Sequence, residues 1–200
     1  MLDNTTARQY VARFIDPTAK TLLRAGLSPD AVTWIGAIST VIFALVLVST
    51  GHTLIGGIAI TIMSLSDLVD GTMARMVSKS GAWGAFLDST LDRVVDAALL
   101  LSIALLFMRT SAVSWAIPAT LIALICGQMT SYIRARAESL GATCRVGIAE
   151  RSERSIIAIA AIILSGLHVL ILPLAMALLA FLSAATVCQR IIHVYRQLNT

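Results

Sequence analysis

Charge is scarce in this sequence, and lysine is scarcest of all. Asp, Glu, Lys and Arg together make up 13% of the 200 residues, and Lys20 and Lys79 are the only lysines. Soluble domains carry roughly twice that charge, so a fully water-exposed globular surface is excluded. Cysteine is sparse too. Cys126, Cys144 and Cys188 are odd in number and widely separated. That spacing excludes a disulfide framework and a zinc site and leaves buried or lipid-facing thiols. The first thirty residues lack a long apolar run, so no cleavable leader is expected. The first spanning helix would serve as the insertion signal.

What is present is hydrophobic length. Apolar residues account for 58% of the chain and the mean hydropathy is +0.87. A chain of this kind is an all-α, polytopic membrane protein, because helices satisfy their own backbone hydrogen bonds in lipid. Two hundred residues suit a single domain, 1–200. Residues 5–25 place Tyr10, Val11, Phe14, Ile15, Thr18, Leu22 and Leu23 at helical spacing, punctuated by Arg8, Arg13, Lys20 and Arg24. That pattern predicts an amphipathic helix at the membrane interface, with a kink or break at Pro17. Six apolar segments follow, at 31–50, 54–77, 83–108, 112–138, 153–168 and 170–195. They predict a six-helix transmembrane bundle over 31–196. Gly166, His168 and Pro173 argue for a hairpin between the last two.

In a six-span topology both termini share one side. Fourteen of the fifteen basic residues fall there, and only Arg109 falls on the other side. Basic residues collect on the cytoplasmic side. Both termini and the acidic cluster are therefore expected to face the cytoplasm. The net charge of +4 is modest, and no nucleic-acid partner is expected.

Four carboxylates interrupt this apolar pattern: Asp67, Asp70, Asp88 and Asp92. An ionised Asp at the centre of a spanning helix costs about 2.5–3.5 kcal/mol on insertion scales. Asp67 and Asp70 are three apart, and Asp88 and Asp92 are four apart, so each pair shares a helix face. Two helices could thus aim two carboxylates each at one point. Oxygen-only ligands favour a hard divalent ion. Gly71 and Gly84 would let a ligand approach closely, and Arg75 is placed for phosphate or a carboxylate. Asp96 continues the face of Asp88 and Asp92 by one turn and is expected to hydrogen-bond in helix packing.

Asp67, Asp70, Gly71, Ala74, Arg75, Gly84, Asp88 and Asp92 together resemble the complete signature of the CDP-alcohol phosphotransferases. The resemblance implies transfer of a phosphatidyl group from a CDP-linked lipid to an alcohol, with release of CMP. It implies two Mg²⁺ or Mn²⁺ ions held by Asp67, Asp70, Asp88 and Asp92, with Asp92 as general base on the incoming hydroxyl. It places Gly71, Ala74, Arg75 and Gly84 along the CDP-lipid. Pro29, Asp30 and Thr33 match a shorter element found near the nucleotide in that family, although a helix start explains them equally well. A homodimer is also implied.

Arg134, Arg136, Arg151, Arg154 and Arg190 cluster at predicted cytoplasmic helix ends. Flanking charge alone has no need of arginine over lysine, whereas arginine binds phosphate bidentately. A phosphorylated acceptor is therefore expected, in a pocket beside the metals. The arginine region, Ser131–Glu138 with Gly147–Arg154, resembles actinobacterial phosphatidylinositol phosphate synthases. This implies inositol 1-phosphate as acceptor and CDP-diacylglycerol as donor. Phosphatidylglycerophosphate synthases, which use glycerol 3-phosphate, share the eight-residue motif and stand as the alternative. A transporter with an acidic intramembrane site is the non-enzymatic alternative. The sequence lacks the internal repeats common in such proteins, and its acids gather at one side.

Overall fold

The computed structural model describes residues 15–77 and 81–199. The described residues are all-helical. Described residues 15–24 are helical, as α1, and the helix runs through Pro17 without a break. Residues 5–14 of the predicted interfacial helix, with Arg8 and Arg13, lie outside the described residues, as does Lys79 in the 78–80 break.

Helix α2 (Pro29–Phe43) continues into a π-helical turn, Ala44–Val48. Its start follows from local chemistry. The Ser28 hydroxyl accepts the Ala31 amide at 3.2 Å, and Pro29 occupies the first helical position, where a missing N–H costs nothing. Next come α3 (Thr53–Ser64), α4 (Ser66–Met76) and α5 (Ala82–Arg109). A 3₁₀ turn, Ser111–Ala116, leads into α6 (Ile117–Ser139), followed by α7 (Arg151–Leu164) and α8 (Ile171–Leu198). Gly51 and Gly141 take positive φ in the connecting turns, a conformation that glycine adopts without steric cost.

Among the described residues, four helical segments, not six, are long and apolar enough to cross a membrane: Pro29–Val48, Thr53–Met76, Val113–Ser139 and Ile171–Leu198. The physical reasons differ for the other two. Helix α5 has 28 residues, but Asp88, Asp92, Arg93 and Asp96 break its apolar run. Helix α7 has only 14 residues, or about 21 Å at 1.5 Å per residue, short of a hydrocarbon core of about 30 Å. A capping box fixes its start: the Glu150 side chain accepts the Glu153 amide, and Glu153 accepts the Glu150 amide. The predicted hairpin between α7 and α8 is present, with Pro173 in the first turn of α8.

The predicted second segment is interrupted at Leu65, between α3 and α4, where amide bonds tighten to three-residue spacing. The break puts Asp67 in the first turn of α4. Large apolar side chains point outward along the spanning helices, including Ile35, Ile38, Ile42 and Val46. Water would penalise such a surface, but lipid does not.

The chain forms two compact units. The first takes Met1–Val41 and Ala59–Val95. Its core joins Ala19, Val32 and Met73, with Leu22, Leu23, Leu27 and Val69 packed against them. The second takes Ile42–Ile58 and Asp96–Thr200. There α6 and α8 pack together, and a cluster of Ala137, Ala142 and Cys144 is covered by Ile133 and Val194.

Candidate active site

Within the first unit, one open cavity of about 430 Å³ gathers most of the predicted site residues. Helix α4 contributes Asp67, Asp70, Gly71, Ala74 and Arg75, and α5 contributes Gly84 and Asp88. Seven of the eight motif positions therefore line a single space. Pro29, Asp30 and Thr33 from the start of α2 line it as well. Asp92 stands one turn beyond Asp88 on α5, half-buried, and is not among the lining residues. Sequence reasoning missed two lining residues, Gly81 and Ala85. Their signal was positional, since Ala85 is three residues before Asp88 and Gly81 three before Gly84.

Helical periodicity explains the convergence. Asp67, Asp70, Gly71 and Ala74 recur at spacings of three and four, which keeps them on one face of α4. Asp70 is buried, whereas Asp67 and Asp88 are exposed to the cavity mouth. The Thr33 hydroxyl donates to Asp70 Oδ2 at 2.6 Å, joining α2 to α4. Arg75 Nη2 donates to Thr72 Oγ1 at 2.9 Å.

The two motif glycines leave room rather than permit packing. Among the described residues, a Cβ at Gly84 would meet nothing within 4 Å, and one at Gly71 would touch only Arg75 Nη1, at 3.6 Å. Neither position needs glycine for the fold, so both leave the cavity open to a ligand.

The donor set fits hard divalent ions. Asp67, Asp70 and Asp88 offer carboxylate oxygens only. Among the described residues, no three His, Cys, Asp or Glu side chains form a ready-made ion cage. Mg²⁺ does not require one. It is commonly held by one or two carboxylates and completed by substrate phosphates and water. An open, acid-lined cavity is the form such a site takes.

The arginines lie in the second unit and have separate partners. Arg134 pairs with Glu138 at 3.0 Å on the exposed end of α6, and Arg136 Nη1 reaches Ser139 Oγ at 3.4 Å. Arg151 lies 3.5 Å from Asp96. Arg154 donates to the carbonyls of Ala149 at 3.1 Å and Gly127 at 3.5 Å. Arg190 is buried and donates to the carbonyls of Val146, at 2.8 Å, and Thr130. Arg154 and Arg190 thus brace the segment before α7, which the Ala149 amide also ties to Thr186 Oγ1 at 3.2 Å. Sequence spacing gave no sign of these backbone contacts.

Comparison with known proteins identifies the family. Residues 27–187 match the CDP-alcohol phosphatidyltransferase family. The chain is 42% identical over 195 residues to a phosphatidylinositol phosphate synthase of Cutibacterium acnes, covering 92% of this chain and 94% of that protein. It is 38% identical to an archaetidylinositol phosphate synthase of Methanothermobacter thermautotrophicus, covering 96% and 94%. The fold is similar to crystal structures of Mycobacterium tuberculosis phosphatidylinositol phosphate synthase. With CDP-DAG bound, the TM-score is 0.86 at 37% identity, covering 92% of this chain and 94% of that one. With manganese and citrate, it is 0.87 at 36% identity, covering 90% and 88%. The chain belongs to the CDP-alcohol phosphatidyltransferase family.

Proposed function

We propose that this protein transfers the phosphatidyl group of CDP-diacylglycerol to a hydroxyl of inositol 1-phosphate, releasing CMP. The observation that carries this reading is the single cavity lined by seven motif residues together with Pro29, Asp30 and Thr33. The names of the relatives support both substrates. The family match spans parts of both compact units, which supports one transferase domain.

Asp67, Asp70 and Asp88 would hold two divalent ions, Mg²⁺ or Mn²⁺, with Asp92 beside them. When bound, the ions neutralise the diphosphate and the charge that develops on departing CMP. Gly71, Ala74, Arg75 and Gly84 bind the CDP-lipid, with Pro29, Asp30 and Thr33 across the cavity. Asp92 accepts the proton of the acceptor hydroxyl. The freed oxygen attacks the phosphorus that carries diacylglycerol, the bond from that phosphorus to the CMP oxygen breaks, and CMP leaves in line. Arg134, Arg136, Arg151, Arg154 and Arg190 would supply the binding site for the acceptor's phosphate.

The protein would act in the bacterial cytoplasmic membrane as a homodimer, with its termini and site facing the cytoplasm. An acceptor panel tests the reaction. Purified protein receives CDP-diacylglycerol and Mg²⁺ with inositol 1-phosphate, glycerol 3-phosphate, inositol or serine, and CMP release is measured. Inositol 1-phosphate should give the highest rate. A higher rate with glycerol 3-phosphate would rename the acceptor, and no CMP release with any acceptor would overturn the reaction.

A further inference from the structure

Gly36 is buried on α2 and faces Ser66, the first residue of α4. A Cβ built on Gly36 would lie 2.0 Å from Ser66 Oγ and 3.0 Å from Ser66 Cβ. A side chain there would force Ser66 to shift. Among the described residues the buried Ser66 Oγ has no hydrogen-bond partner, so the closeness of the two helices is not explained by a polar bond at the contact.

The neighbouring turn offers an explanation. Thr33 stands three residues before Gly36, and Asp70 four residues after Ser66. One helical turn from the contact, the Thr33 hydroxyl donates to Asp70 Oδ2 at 2.6 Å. That hydroxyl has one proton and a second candidate acceptor, the Pro29 carbonyl of its own helix, at 3.1 Å. The shorter contact takes the proton. Moving α2 away from α4 would return it to Pro29, the usual backbone acceptor for a helical threonine.

We infer that the Gly36–Ser66 contact is a positioning device for the metal site, acting through Thr33. Close approach at Gly36 holds the Thr33 proton on one oxygen of Asp70 and so fixes the carboxylate's orientation toward a divalent ion. Gly36, Ser66 and Thr33 are positioning residues, since they act on the ion through Asp70. The inference rests on the reading that Asp70 holds a metal.

The test measures Mn²⁺ affinity directly, by electron paramagnetic resonance of free Mn²⁺, on detergent-purified protein without CDP-lipid. Loss of a hydrogen-bonding partner behind a metal ligand typically costs about 10–100-fold in affinity. Gly36→Ala should weaken Mn²⁺ binding by that order. Ser66→Gly removes both atoms that the new Cβ would strike, so the double variant should regain most of the affinity. Thr33→Val, which adds no bulk at the contact, should weaken binding comparably even if Gly36→Ala fails to fold. Wild-type affinity in Thr33→Val, or weakened Gly36→Ala binding that a folded double variant fails to restore, would overturn the inference. Asp70→Asn separates the two readings. If it leaves Mn²⁺ affinity unchanged, the metal assignment itself falls; if it lowers affinity while Thr33→Val does not, only the positioning device falls.

Discussion

Asp96 joins α5 to the first turn of α7 through both of its oxygens. Arg151 Nε lies 3.5 Å from Oδ2, and the Ser155 hydroxyl donates to Oδ1 at 3.4 Å. The acid outside the eight-residue signature is therefore a helix-packing group. Asp96→Ala should destabilise the protein by about 1–2 kcal/mol, since the pair is only partly desolvated. Thermal unfolding in detergent would show this as a lower midpoint. Mn²⁺ affinity should stay at the wild-type value, and a loss there would place Asp96 with the metal-site acids instead.

Substituting Asn at Asp67, Asp70 or Asp88 should remove metal-dependent turnover. The loss should exceed the roughly 100-fold that removing an outer partner can cost. CMP release followed across a Mg²⁺ titration measures it. Wild-type rates at saturating Mg²⁺ in any of the three would remove that residue from the metal site.

Asp92→Asn separates chemistry from binding. General bases contribute roughly 10²–10⁴-fold to rate, so turnover should fall by that order while CDP-diacylglycerol affinity is largely kept. Equal losses of rate and affinity would mean that Asp92 mainly holds metal. Its place one turn beyond the cavity lining gives the comparison its value.

The acceptor arginines call for two variants of different character. Arg134 sits on the exposed end of α6 with an i,i+4 partner in Glu138, so Arg134→Gln should raise the KM for inositol 1-phosphate without a change in stability. Arg154→Gln should raise it too, and should also loosen the braces to Ala149 and Gly127. Losing one charged hydrogen bond worth about 1.5–3 kcal/mol corresponds to roughly a 10–100-fold weaker acceptor. The KM for CDP-diacylglycerol should barely move. Arg196→Gln is the control, and equal damage there would mean a diffuse positive field rather than a phosphate pocket.

Much of the site was legible because helical periodicity is local. Spacings of three and four placed the acids on shared faces of α4 and α5 without any knowledge of the fold. The Ser28-Pro29 start was legible for the same reason. The Leu65 break was not, because no proline or glycine marks it. Hydropathy also overstated the number of spans. The apolar run from 153 to 168 ignores that a capping box starts α7 at Arg151 and that the helix stops at Leu164. The Gly36–Ser66 approach was out of reach, since it depends on which helices meet. Arginine spacing likewise could not reveal that Arg154 and Arg190 donate to distant carbonyls.

Gly84 lies inside α5 with open space where a side chain would be. Alanine there would strike nothing among the described residues and would favour the helix by up to about 1 kcal/mol, less than in mid-helix because Gly84 is in the first turn of α5. The fold would therefore gain from a residue that intrudes on the cavity. Gly84→Ala should melt at a higher temperature and bind CDP-lipid less well. At this position the protein forgoes stability to keep the cavity open, and a screen for thermostable variants alone would tend to select proteins in which it is obstructed.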